Sequence, residues 1–249
     1  MPEGLLVTAR WMSEHGYSTA LRTQYVAAGW LEQPVRGVFR RPRGTVDWQQ
    51  VVISLQMMMR LPLVVGGRTA LEQSGFGHYL AHTTSEVHLY GPKPPPAWLA
   101  TLPLDVRFVG HNSARLFPDT GSGSKTADEF TTRPWGQWDW PLALSTPERS
   151  VLELLDELPS RESFHQVDKL FEGLTALSPR RLQPLLESCR SVKVKRLFFF
   201  FADRHHHAWL KRLDKSAVDL GSGNRKLVDG GKLDRTYQIT VPEDLDGVR

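Results

Sequence analysis

Cysteine is almost missing: Cys189 is the sole one in 249 residues, which excludes an intrachain disulfide and any cysteine-built zinc site. Beside Leu185 and Leu186 it reads as a small buried hydrophobe. Long apolar runs are missing too. The longest, Leu197-Phe198-Phe199-Phe200-Phe201-Ala202, falls far short of the roughly 20 residues of a membrane span. Met1-Pro2-Glu3 opens no secretion signal, so a cytoplasmic protein without a membrane partner is expected. Neither sign of charge dominates: Lys+Arg 31 against Asp+Glu 27 gives +4, not the composition of a histone-like protein. With 40% hydrophobic and 23% charged residues, the chain is ordinary globular material.

Catalytic signatures are missing as well. No acid stands two places before a lysine, as metal-dependent nucleases need, and neither Gly-x-Ser-x-Gly nor His-Glu-x-x-His occurs. His205-His206-His207 are adjacent, so on a helix they point about 100° apart and cannot converge on one ion. Gly221-Ser222-Gly223-Asn224-Arg225-Lys226 lacks the order of a phosphate-binding loop and reads as a turn. No enzyme, catalytic residue, metal or cofactor is expected.

What is present begins with two short helices around Gly16-Tyr17-Ser18. Thr8 to His15 carries Ala9, Trp11 and Met12, and Gly16 stops it. Ser18 caps a second helix with Leu21, Tyr25 and Ala28 on one face. The opposite side would then present Thr19, Arg22, Thr23 and Val26. Leu31, Val35, Val38 and Phe39, broken by Pro34 and Gly37, follow as a short β-hairpin. Helix, turn, helix and basic hairpin is the order of a winged helix-turn-helix, whose second helix enters the major groove. Between Tyr17 and Gly44 five arginines (Arg22, Arg36, Arg40, Arg41, Arg43) stand against one acid, Glu32. A helical hairpin with a solvated arginine face would show the same pattern.

Beyond it, Val46, Trp48, Val51, Val52, Leu55 and Met58 recur at helical spacing from Thr45 to about Leu63, with Met57-Met58-Met59 read as core filler. Leu63 to Gly67 suggests a short strand, Thr69 a helix cap, and Glu86 to Tyr90 and Val106 to Val109 further strands. Pro92 to Pro96 is a proline-rich connector, and Asp119 to Asp128 reads as a surface loop. Ser145-Thr146-Pro147-Glu148 has the form of a capping box. Four helices are expected after it: one through Leu158, one near Glu162 to Leu174, one from Ser178, and a long one from Ser191 through Trp209 and Leu213. Tyr237 to Pro242 closes as a strand. Charge divides within this half. Glu148 to Glu172 holds seven acids against three bases, and Arg180 to Arg212 nine bases against two acids. Arg190, Lys193, Lys195 and Arg196 therefore form a candidate second basic surface, with a solvated helix face as the plainer reading.

The fold expected is α+β: an N-terminal winged helix-turn-helix over 1–44, then a larger mixed α/β domain over 45–249, mixed over 45–140 and helical with terminal strands over 141–249.

Gly29-Trp30-Leu31, Arg36 to Pro42, Trp48, Leu55-Gln56, Gly66 to Glu72 and Gly77-His78-Tyr79-Leu80 together resemble the AbiEi antitoxins of type IV toxin–antitoxin systems. Pro147-Glu148-Arg149, Glu172-Gly173-Leu174, Leu185 to Glu187, Val192 to Phe198, Gly221-Ser222-Gly223 and Tyr237 to Pro242 are similar too. The resemblance implies a winged helix-turn-helix that represses its own operon, a C-terminal domain needed to counteract a nucleotidyltransferase-like toxin, and operator DNA as partner. Direct contact with the toxin and the oligomeric state stay open. By motif position it implies DNA contacts from Thr19, Arg22 and Thr23 on the helix and Arg36, Arg40 and Arg41 on the wing, flanked by Ser18 and Arg43. One departure stands out. Such a domain carries a helix ahead of the segment equivalent to Gly4-Leu5-Leu6-Val7, where only Met1-Pro2-Glu3 stand here. That helix is missing, or encoded upstream, or replaced by another segment. The competing reading is an interaction module docking an acidic partner through basic C-terminal helices, with DNA binding vestigial.

Overall fold

The computed structural model describes residues 1–76, 85–118 and 128–246. The chain divides into two compact units, Met1–Val65 with Thr84–Asn112 and Thr131–Leu144, and Gly66–Thr83 with Ser113–Phe130 and Ser145–Arg249. The motif at Gly77 to Leu80 and nearly all of the expected loop at Asp119 to Asp128 lie outside the described residues.

In the first unit, strand β1 (Val7–Thr8) leads into α1 (Ala9–Glu14), α2 (Thr19–Ala27) and the hairpin β2 (Glu32–Val35) and β3 (Val38–Arg40). β1 pairs antiparallel with β3, so the sheet order is β1-β3-β2. Thr8 accepts from the Trp11 amide and Ser18 from the Leu21 amide, capping the two helices. Val7, Met12, Leu31 and Phe39 form the small core, with Trp11, Tyr25, Val26 and Met58 packed on it.

Met58 belongs to the next element. Asp47 caps α3 (Trp48–Ile53) in a reciprocal capping box with Gln50, and the helix continues as a π-helical turn over Ser54–Met58. Ser54 Oγ accepts from the Leu6 amide at 2.8 Å, and Leu5 and Leu6 are fully buried. The segment ahead of β1 is thus packed against the helix that follows the wing. A larger sheet of order β6-β5-β4-β8-β7 completes the unit, from β4 (Val64–Val65), β5 (Glu86–Gly91), β6 (Arg107–Asn112), β7 (Phe130–Trp135) and β8 (Trp140–Ser145).

The second unit is helical: α4 (Gly67–Gln73), α5 (Pro147–Asp156), α6 (Phe164–Gly173), α7 (Pro179–Ser188) and α8 (Val192–His205), followed by the antiparallel hairpin β9 (Lys232–Asp234) and β10 (Ile239–Val241). One apolar cluster joins Val151, Leu155, Val167, Phe171, Leu186, Phe198, Phe201 and Ile239. Cys189 sits in it, and burial pushes its thiol up.

Three local expectations are corrected. α4 is capped by Gly66, with Thr69 buried inside the helix. No capping box opens α5: the Thr146 hydroxyl finds no partner among the described residues, and the Glu148 carboxylate accepts from the Ser178 amide at 2.7 Å. α8 stops at His205 because His206 turns left-handed at φ 52°, leaving Trp209 in a separate 3-10 turn. The three histidines serve different ends. His205 faces Asp168 at 2.8 Å, His206 is the exposed turn, and the His207 ring N–H donates to the Phe171 carbonyl.

Candidate nucleic-acid interface

α2 is held by an arginine. Arg22 is buried, 9% exposed, and its guanidinium donates to the carbonyls of Ala9 (3.2 Å) and Tyr17 (2.7 Å) and to Ser13 Oγ (2.7 Å) and Thr19 Oγ1 (2.9 Å). It therefore faces α1 and the turn, which corrects the expectation that it points outward. Val26 is half-buried on the same inward side, with Leu21 and Tyr25. The exposed stripe runs instead through Thr19, Ala20, Thr23, Gln24 and Ala27. Gln24 was not singled out from the sequence. Its signal was its position one residue after Thr23, on the side opposite the buried face once Arg22 is turned inward.

The wing carries the cations. Val35 pairs with Val38, so Arg36 and Gly37 form the two-residue tip, with Gly37 at φ 78°. Arg36 and Arg41 are exposed and make no hydrogen bond or ion pair among the described residues. Arg43 lies 3.8 Å from Glu3 with its side chain 80% exposed. Arg40 behaves otherwise: register sets it across from Glu32, with Nε 2.6 Å from the carboxylate, and Nη1 donates to the Gly44 carbonyl at 3.0 Å. It braces the hairpin. The Ser18 hydroxyl is spent on its cap.

One unit thus carries both an exposed polar helix stripe and, at the hairpin tip and just after β3, three accessible arginines. Arginine serves both guanine edges and phosphate oxygens.

The candidate second basic surface is not brought together. Lys195 and Arg196 are 5% and 2% exposed. Arg196 donates to the carbonyls of Leu220 (2.7 Å), Gly223 (2.6 Å) and Gln238 (3.2 Å), tying α8 to the terminal hairpin. Burial lowers its pKa. Lys193 caps the carbonyls of Asp156 and Leu158 at 2.6 and 2.9 Å, and Arg190 donates to Ala114. These charges satisfy carbonyls that the folded chain would otherwise leave short of donors. No group of three His, Cys, Asp or Glu residues able to hold a metal occurs among the described residues, and no helix among them is long and apolar enough to cross a membrane.

Comparison with known proteins covers nearly the whole chain. Residues 1–82 match the family described as "Transcriptional regulator, AbiEi antitoxin N-terminal domain", and residues 84–242 that described as "Transcriptional regulator, AbiEi antitoxin, Type IV TA system". No curated protein matches. Among solved structures, the fold is similar to that of the RV2827C protein from Mycobacterium tuberculosis, with a TM-score of 0.55 and 17% identity over 94% of this chain and 85% of that one.

Proposed function

Since the chain belongs to the AbiEi antitoxin family of type IV toxin–antitoxin transcriptional regulators, we propose that it represses its own toxin–antitoxin operon and counteracts a nucleotidyltransferase-like toxin. The observation that carries the operator reading is the exposed α2 stripe beside a wing whose Arg36 and Arg41 have no partner among the described residues. In this reading Thr19, Thr23 and Gln24 meet base edges in the major groove, and Arg36, Arg41 and Arg43 meet phosphates or the minor groove. Ser18, Arg22 and Arg40 act by holding that geometry. Toxin neutralisation is inferred from the family resemblance.

Mobility-shift assays against the upstream region of the operon test the first part. Gln24→Ala together with Thr23→Ala is expected to bring operator affinity down towards that for unrelated DNA, and equal binding to both by the unaltered protein overturns operator recognition. Co-expression with the neighbouring nucleotidyltransferase tests the second: growth restored by the full chain supports it, and persistent toxicity refutes it. The competing reading of a docking module built on basic C-terminal helices would have to do without Lys195 and Arg196, which are inside, and rest on the exposed Arg180, Arg181, Arg190, Lys211 and Arg212.

A further inference from the structure

We propose that a cavity of about 700 Å³ beside α1 binds a purine nucleotide, with Trp11 and Trp98 for the ring and Arg60 for the phosphates. The site uses none of the residues of the α2 stripe or wing and stands independently of operator binding.

Three features of its wall point to such a ligand. The first is aromatic. Trp98 lines it, as does Trp11, whose ring is stacked on His15 with centroids 3.8 Å apart; both indoles stay partly exposed, and aromatic faces stack on purines at low entropic cost. The second is the methionine triplet. Met57, Met58 and Met59 are half-buried along the cavity, Met58 packing at the same time on the small core. Thioethers give a polarizable, adaptable wall that suits a flat ring. They are set there by the π-helical turn Ser54–Met58, a geometry that recurs at functional sites.

The third is Arg60. It is exposed, lines the same cavity and has no hydrogen bond or ion pair among the described residues. Its φ of 51° is left-handed, a conformation that costs a residue with a side chain energy and collects at ligand clamps. The other arginine of the wall, Arg10, is already bonded to Glu14 at 2.9 Å. Arg60 is therefore the cation left for an incoming anion, and a planar guanidinium suits phosphate oxygens two at a time. The volume falls within the ~300–1,000 Å³ of small-molecule sites.

Calorimetric titration of the full chain with ATP and GTP tests this, with adenosine and tripolyphosphate as separate arms. One purine nucleotide per chain is expected, weakened at least about tenfold by Arg60→Gly and by Trp98→Ala and unchanged by Arg41→Ala. Arg60→Gly removes the guanidinium while suiting the left-handed backbone, and its thermal midpoint should match or exceed that of the unaltered protein. Three outcomes overturn the proposal. Neither nucleotide binds, or tripolyphosphate binds as tightly as ATP, or Arg41→Ala abolishes binding that Arg60→Gly leaves intact.

Discussion

Four donor contacts from one guanidinium, to Ala9, Tyr17, Ser13 and Thr19, make Arg22 the strut of the helix-turn-helix. A residue written into the chain as a positive charge acts here as a carbonyl satisfier with a buried aliphatic stem. Three variants separate this role from DNA contact. Arg22→Met should lower stability by about 2 kcal/mol, the scale of losing hydrogen bonds from a charged donor, seen as a lower thermal midpoint without DNA present. Arg22→Lys should rescue little, since an ammonium cannot span acceptors that the guanidinium fork reaches. Arg41→Ala should leave the midpoint where it was. The Ser18 cap was legible in the sequence because its partner, the Leu21 amide, is three residues away. The role of Arg22 was not, because Ala9 and Ser13 lie on another helix. Leu21 and Tyr25 fixed the buried side only to within one residue, enough to put Arg22 and Val26 on the wrong face.

Elements show the same division between local and distant causes. Pro34 and Gly37 announce the wing, and its two-residue tip follows from Val35 pairing with Val38. That the segment leading into β1 rests on the π-helical turn after α3 is set by a contact 48 residues apart, from the Leu6 amide to Ser54 Oγ. No periodicity signals such a contact. Ser54 is fully buried, so Ser54→Ala strands a buried amide and should cost about 1–3 kcal/mol in denaturant unfolding. In the helical unit the segment just after α8 clamps the end of α6: His207 donates to the Phe171 carbonyl, and the Trp209 indole N–H to that of Leu174 at 2.7 Å. Burial, the largest cause, lowers the His207 pKa below its ordinary 6.5, so the folded state favours the neutral ring. Above about pH 6.5 the group is neutral in both states and costs nothing. As pH falls through 6.5 towards the lower folded value, the unfolded state takes up the proton first and stability is lost. His207→Gln, which keeps an N–H donor, should therefore lose less midpoint temperature than the unaltered protein between pH 7 and pH 5.

Across the whole molecule a net charge of +4 does not say which cations are bound into the fold and which are left at the surface. Counting along the chain gives five arginines in the helix-and-wing stretch and nine bases from Arg180 to Arg212. The fold withdraws many of them. Arg22 and Arg40 bond within their own unit, and Lys193, Lys195 and Arg196 are turned into the helical unit to meet carbonyls or lie buried. Sequence fixes how many charges there are, but which carbonyls lack donors is decided only once helices pack. Accessible cations on the candidate interface reduce to Arg36, Arg41 and Arg43. Each phosphate neutralised contributes about 0.9 to the slope of log affinity against log salt, so three predict a slope of about −3 per bound chain. Arg36→Ala and Arg41→Ala should each make it shallower by about one, and Lys193→Ala should leave it unchanged. A slope near −7 or −8 would mean that cations outside the helix and wing also meet phosphates, and that Arg36, Arg41 and Arg43 are not the whole DNA-contacting set.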